Sequence, residues 1–119
     1  MICLDTNLLG RMTDKTDPQY AIRHHAVRVL RQRNERLVLV PQNLYEFWTV
    51  ATRAKKLNGL EMTCNQAALW IGYFRRLFGF IPARPDLAEV WRKLVLHYEV
   101  RGYQAHDARL VAAMQTYGI

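Results

Sequence analysis

The sequence predicts an α/β domain in which a parallel sheet is flanked by helices. Two observations carry this. Residues 1–4 and 37–40 are short uninterrupted apolar runs, the pattern of strands buried on both faces. Segments with apolar residues at helical spacing separate and follow them, and strands alternating with helices pair in parallel through right-handed crossovers. A length of 119 residues suits one domain, 1–119, and half of the residues are hydrophobic, enough for a core.

The first strand, Met1-Ile2-Cys3-Leu4, runs straight into Asp5, and Thr6 and Asn7 follow. Ligands of open α/β sheets bind outside the carboxyl ends of the strands. Asp5 therefore reads either as a metal ligand or as the cap of a turn or helix. Residues 8–17 are turn-rich, with Gly10, Thr13, Asp14 and Thr16. Asp17-Pro18 marks a helix start, with Ile22, Ala26, Val29 and Leu30 on its apolar side and an end near Asn34.

Pro41 stops the second strand. A helix is expected to begin near Asn43 as its cap and to run to about Lys55, which puts Glu46 in its first turn and at a strand's carboxyl end. Residues 56–62 read as a loop. Thr63 or Asn65 starts the next helix, which reaches Phe78. Its stripe of Trp70, Tyr73, Phe74 and Leu77 is joined by Leu69, Ile71 and Phe78, so it is expected to bury more than one side.

Residues 79–82 read as a third strand. Pro85-Asp86 opens a helix with Leu87, Val90, Trp91, Leu94 and Val95 at helical spacing, ending at Gly102. The last helix runs from His106-Asp107 to Tyr117, with Gly118 as its stop and Leu110, Val111, Ala113 and Met114 as its apolar side. If Ile119 begins a further strand, this helix starts at the carboxyl edge of the sheet, and Asp107 joins Asp5 and Glu46 there.

Three carboxylates at one edge repel one another and call for a cation, and an all-oxygen set suits Mg²⁺ or Mn²⁺. Each acid also has a structural use, as a cap for Asp5 and Asp107 and as a first-turn dipole partner for Glu46. The chain carries 17 Lys and Arg against 10 Asp and Glu, a net charge of +7, which favours a polyanionic partner. Arg11, Arg53, Lys55, Lys56, Arg101 and Arg109 are candidates for the path of such a polyanion. Arg109, beside Asp107, leads them. His106 is a further candidate for a phosphate contact.

The two cysteines, Cys3 and Cys64, form no CxxC pair, which excludes a zinc knuckle or a disulfide framework and suits a reducing cytoplasm. No signal peptide, membrane-length apolar run or repeat is read from the sequence.

Leu4-Asp5-Thr6-Asn7-Leu8-Leu9, Leu44-Tyr45-Glu46-Phe47 and His106-Asp107-Ala108-Arg109-Leu110-Val111-Ala112-Ala113, in this order, resemble the PIN-domain nucleases, and the VapC-like toxins of toxin–antitoxin pairs among them. The resemblance implies a PIN-like three-layer fold and a Mg²⁺- or Mn²⁺-dependent endoribonuclease. Asp5, Glu46 and Asp107 match three of the family's metal-binding acids, with Thr6 or Asn7 supporting the ion or its waters. A homodimer and a VapB-type antitoxin are implied as well. The family's pattern continues past the equivalent of Ile119 into a strand and a further Asp or Asn. A C-terminally shortened domain is therefore expected, with the last strand missing. That expectation keeps open an alternative: a catalytically weak or inactive PIN domain that binds RNA or an antitoxin.

Overall fold

The computed structural model describes residues 1–116 and Gly118; the readings for Tyr117 and Ile119 lie outside the described residues. Three strands, β1 (Ile2–Cys3), β2 (Leu37–Leu39) and β3 (Gly79–Phe80), form a parallel sheet in the order β1-β2-β3. The register pairs Ile2 with Leu37, Cys3 with Val38, Val38 with Gly79 and Leu39 with Phe80. The α-helices among the described residues are α1 (Thr6–Met12), α2 (Tyr20–Gln32), α3 (Pro41–Thr52), α4 (Cys64–Leu77), α5 (Leu87–His97) and α6 (Gln104–Thr116), with a short 3-10 turn over Lys55–Leu57. Each strand is shorter than its apolar run, yet Leu4 and Val40 stay buried, and the Leu4 N–H extends the pairing by donating to the Val38 carbonyl.

Strand periodicity sorts the core into two layers. Leu37 and Leu39 face one side, with Leu9 and Met12 of α1, Val27 of α2, Phe47 of α3 and Phe74 of α4. Val38 and Val40 face the other side, with Ile81, with Leu87 of α5, and with Leu110 and Ala113 of α6. The result is the three-layer α/β arrangement that the alternation predicts. Phe47 and Phe74 meet edge to face with their centroids 5.1 Å apart. Such a pair adds about 0.5–1.5 kcal/mol beyond its area burial.

α1 replaces the turn-rich stretch expected over 8–17. Its seven residues are too few for a periodic signal, and Gly10 lies inside it. It forms because Asp5 caps its start while Leu9 and Met12, one turn apart, are fully buried. α2 begins at Tyr20, not at Pro18, because Asp17 holds the preceding turn: its Oδ1 accepts the Gln19 N–H at 2.8 Å and its Oδ2 pairs with Arg23 at 3.0 Å. The predicted apolar side is rotated as well. Val27 is buried while Ile22 is 66% exposed, since Val27 enters the core and His24 Nε2 sits 3.2 Å from the Met12 carbonyl.

α3 starts two residues before Asn43, with Pro41 as its first residue, where a missing N–H costs nothing. Glu46 consequently lies in the second turn, a correction to the first-turn reading. Thr63 caps α4 in a reciprocal pair with Gln66. Between α3 and α4 the chain turns at Gly59, where a Cβ would lie 1.9 Å from the Arg53 carbonyl oxygen. α5 ends at His97, short of Gly102, because Glu99 adopts φ 50 and the Val100 N–H returns to the Val95 carbonyl at 2.9 Å.

Candidate active site

An open cleft of about 970 Å³ lies beyond the carboxyl ends of β1 and β2, between α3 and the start of α6. Asp5, Thr6, Asn7, Glu46, Asp107 and Arg109 all line it, so the three predicted acids share one cleft. Arg11 does not. It lines an adjoining depression of about 290 Å³, and Arg53 borders both.

Asp5 leaves β1 and becomes the cap of α1, its Oδ1 accepting the Asn7 N–H at 2.9 Å. One oxygen does this work, so capping and binding an ion in the cleft are compatible. The Cys3 thiol next to it is pushed up by burial and further by the Asp5 carboxylate. Cys3 is therefore a protonated, inert wall at neutral pH.

Glu46 is gripped on both oxygens. Thr6 Oγ1 donates to its Oε2 at 2.8 Å, and Gln42 Nε2, one helical turn earlier, donates to its Oε1 at 2.6 Å. Each carboxylate oxygen keeps a free lone pair. Thr6 is in turn held by Asn43, whose Nδ2 donates to Thr6 Oγ1 at 3.1 Å and to the Leu4 carbonyl at 3.0 Å. Asn43 Oδ1 accepts the Val40 N–H at 2.9 Å. Asn43 is therefore a buried strut inside α3, not the cap that its residue type suggested. It ties the end of β1, the start of α1 and the start of α3 together.

Asp107 sits in the first turn of α6, which begins at Gln104, so Asp107 is not a cap. The two carbonyls before it are pinned by side chains from other helices. Trp91 Nε1 of α5 donates to the Ala105 carbonyl at 2.7 Å, and Gln42 Nε2 to the His106 carbonyl at 2.8 Å. His106 on this turn and Arg109 on the next stand exposed, both at the cleft.

Among the described residues, none of the three acids ion-pairs with a Lys or Arg. As the side chains lie, no three acids, histidines or cysteines stand close enough to ligate one ion directly. The donor set nevertheless fits Mg²⁺ or Mn²⁺, since it offers carboxylate oxygens and neutral oxygens. Asp5 and Asp107 are exposed and can rotate, whereas Glu46 is held.

Two residues escaped the sequence reading. Asn43 has the residue type of a cap, and Gln42 belongs to no motif in the sequence. Gln42 stands one turn before Glu46, a spacing that pairs side chains on a helix. Its link to His106 has no signal in the sequence.

No family model and no curated protein matches the chain. Among solved structures, the chain is similar to VapC20 of Mycobacterium tuberculosis, described as a sarcin–ricin-loop-cleaving toxin. The identity is 21% and the TM-score 0.66, over 100% of this chain and 85% of that one. The likeness shows a shared fold, the PIN-like arrangement that the motifs imply. No helix among the described residues is long and apolar enough to cross a membrane.

Proposed function

We propose that the chain is a Mg²⁺- or Mn²⁺-dependent endoribonuclease and the toxin of a type II toxin–antitoxin pair. One observation carries the reading: three carboxylates from three separate parts of the chain line one cleft at the carboxyl edge of a parallel sheet, and among the described residues no basic side chain is paired to any of them. The fold shared with a sarcin–ricin-loop-cleaving toxin supports RNA as the substrate.

In this reading Asp5, Glu46 and Asp107 hold the ion, and Thr6 and Asn7 support it. When bound, such an ion supplies Lewis acidity toward the attacked phosphate and a stronger nucleophile from water. Arg109 on the cleft and Arg11 beside it contact the RNA phosphates. The site works in the cytoplasm, the protein forms a homodimer, and a VapB-type antitoxin is its partner.

The test combines Mn²⁺ titration calorimetry with an RNA cleavage assay. Asp5→Asn is expected to weaken Mn²⁺ binding and abolish cleavage. Full cleavage by that variant sinks the reading. A second reading, a PIN-like protein that binds RNA or an antitoxin without cutting, is favoured by the absence of a closed three-ligand set among the described residues. RNA bound but uncut at saturating Mn²⁺ selects it.

A further inference from the structure

Gln42 is 93% buried, and its amide nitrogen serves two acceptors at once: the Glu46 carboxylate, on its own helix, and the His106 carbonyl, on α6. Both partners accept only, so the amide nitrogen must face them, and the orientation of the side chain is settled. The amide oxygen is then left buried with no hydrogen-bond partner. A buried acceptor without a partner costs stability, and a native one demands an explanation. An apolar side chain of similar volume avoids that cost: Glu46 is only half-buried, so water can replace the lost donor, and the His106 carbonyl keeps its acceptor role within α6.

We infer that Gln42 is a positioning residue: its amide nitrogen fixes the Glu46 carboxylate and, through the His106 carbonyl, sets the first turn of α6 so that Asp107 stands over the same cleft. The inference rests on the metal-dependent reading above. Gln42 borders the cleft, and its amide nitrogen acts through the two acids that it positions. Two features strengthen it. Thr6 grips the other Glu46 oxygen from α1, so Gln42 completes a two-sided hold. Trp91 of α5 fixes the adjacent Ala105 carbonyl, and Gln42 is the link that registers this turn against α3. Side chains that orient metal-binding groups typically contribute 10–100-fold to metal affinity.

The experiment uses the full chain and the variant Gln42→Met, which keeps the volume and removes the donor. Thermal unfolding is expected to show a midpoint equal to or above that of the parent, while calorimetry shows Mn²⁺ affinity reduced at least about tenfold. RNA cleavage is expected to fall mainly in kcat. In a Glu46→Gln background, the same Gln42→Met change is expected to cost clearly less Mn²⁺ affinity than in the parent, leaving only the part that acts through Asp107. A variant that unfolds at lower temperature or fails to fold assigns Gln42 an ordinary structural role and overturns the inference. Unchanged Mn²⁺ affinity in a parent that binds the ion overturns it while leaving the proposed function intact. A parent that binds no Mn²⁺ overturns both. Equal losses with and without the Glu46 carboxylate also refute it.

Discussion

Thr6 Oγ1 lies 2.8 Å from Glu46 Oε2, so the first residue of α1 holds the acid presented by the second turn of α3. The same hydroxyl accepts from Asn43 Nδ2, which also reaches the Leu4 carbonyl. A continuous polar chain thus runs from the end of β1 to the cleft. Thr6→Val preserves the shape and removes both the donor and the acceptor. It is expected to destabilise the fold by about 1–2 kcal/mol, because Asn43 keeps only one acceptor for its two amide protons. Mn²⁺ affinity should drop about tenfold with it. Urea unfolding and calorimetry check the two halves separately. A variant with full affinity would show that the Glu46 carboxylate needs no second hold.

Asp17 gives a pH prediction. The Gln19 N–H first, then Arg23 by hydrogen bond and charge, hold its carboxyl below the usual carboxylate range, against an opposing push from burial. A depressed folded-state pKa means that the stabilisation is fully present above the unfolded value and is lost as pH falls through the folded one. The difference in stability between the parent and Asp17→Asn is therefore expected to be constant above about pH 5 and to shrink below about pH 4. Denaturant melts across pH 3–7 test this. A difference that grows toward acid would mean that the ion pair is not what holds the start of α2.

The exposed side of α4 bears on assembly. Leu69 is 73% exposed, and Tyr73 stands beside it, while Phe74 of the same helix is fully buried. Only Ala67 and Phe74 of α4 are buried, so the structure differs from the expectation that this helix buries more than one side: its second apolar side faces out of the core. If the proposed homodimer uses this side, Leu69→Glu should shift the protein toward monomer by at least about tenfold in dissociation constant, since a buried charge without a partner is costly at an interface. Sedimentation at several concentrations decides it. A dimer of undiminished strength moves the seam elsewhere.

The strands and two of the acids were readable because their signals are local. Apolar runs end at Asp5 and at Pro41, which fixes the carboxyl edge and places Glu46 close after it. The placement of Asp107 needed topology as well, and helix α6 does bring it to the same cleft. What stayed hidden depends on distant partners. α1 exists through burial of Leu9 and Met12, not through periodicity. The rotation of α2 is decided by Val27 and His24 against α1. Asn43 is a cap-type residue by local statistics, but Pro41 opens the helix first and turns its amide toward β1 and α1. Gln42 meets a carbonyl 64 positions away, which no local pattern announces.

The last prediction concerns how RNA is held. Arg109 lines the acid cleft, and Arg11 lines the depression that joins it at Asn7 and Arg53. This arrangement offers a negative centre, which needs a cation, with positive side chains beyond it for the phosphates that do not react. Each phosphate contact by a basic side chain releases counterions, so binding to single-stranded RNA should weaken linearly on a log–log plot against salt. Arg109→Gln and Arg11→Gln are each expected to lower that slope by about 1 and to weaken binding similarly across sequences. Their losses should add, because the two residues lie in separate depressions and share no partner. Fluorescence anisotropy with Ca²⁺ in place of Mg²⁺, to suppress cleavage, measures both. An unchanged slope for Arg11→Gln confines the RNA to the cleft. An unchanged slope for both variants places the phosphate contacts on another face of this basic protein.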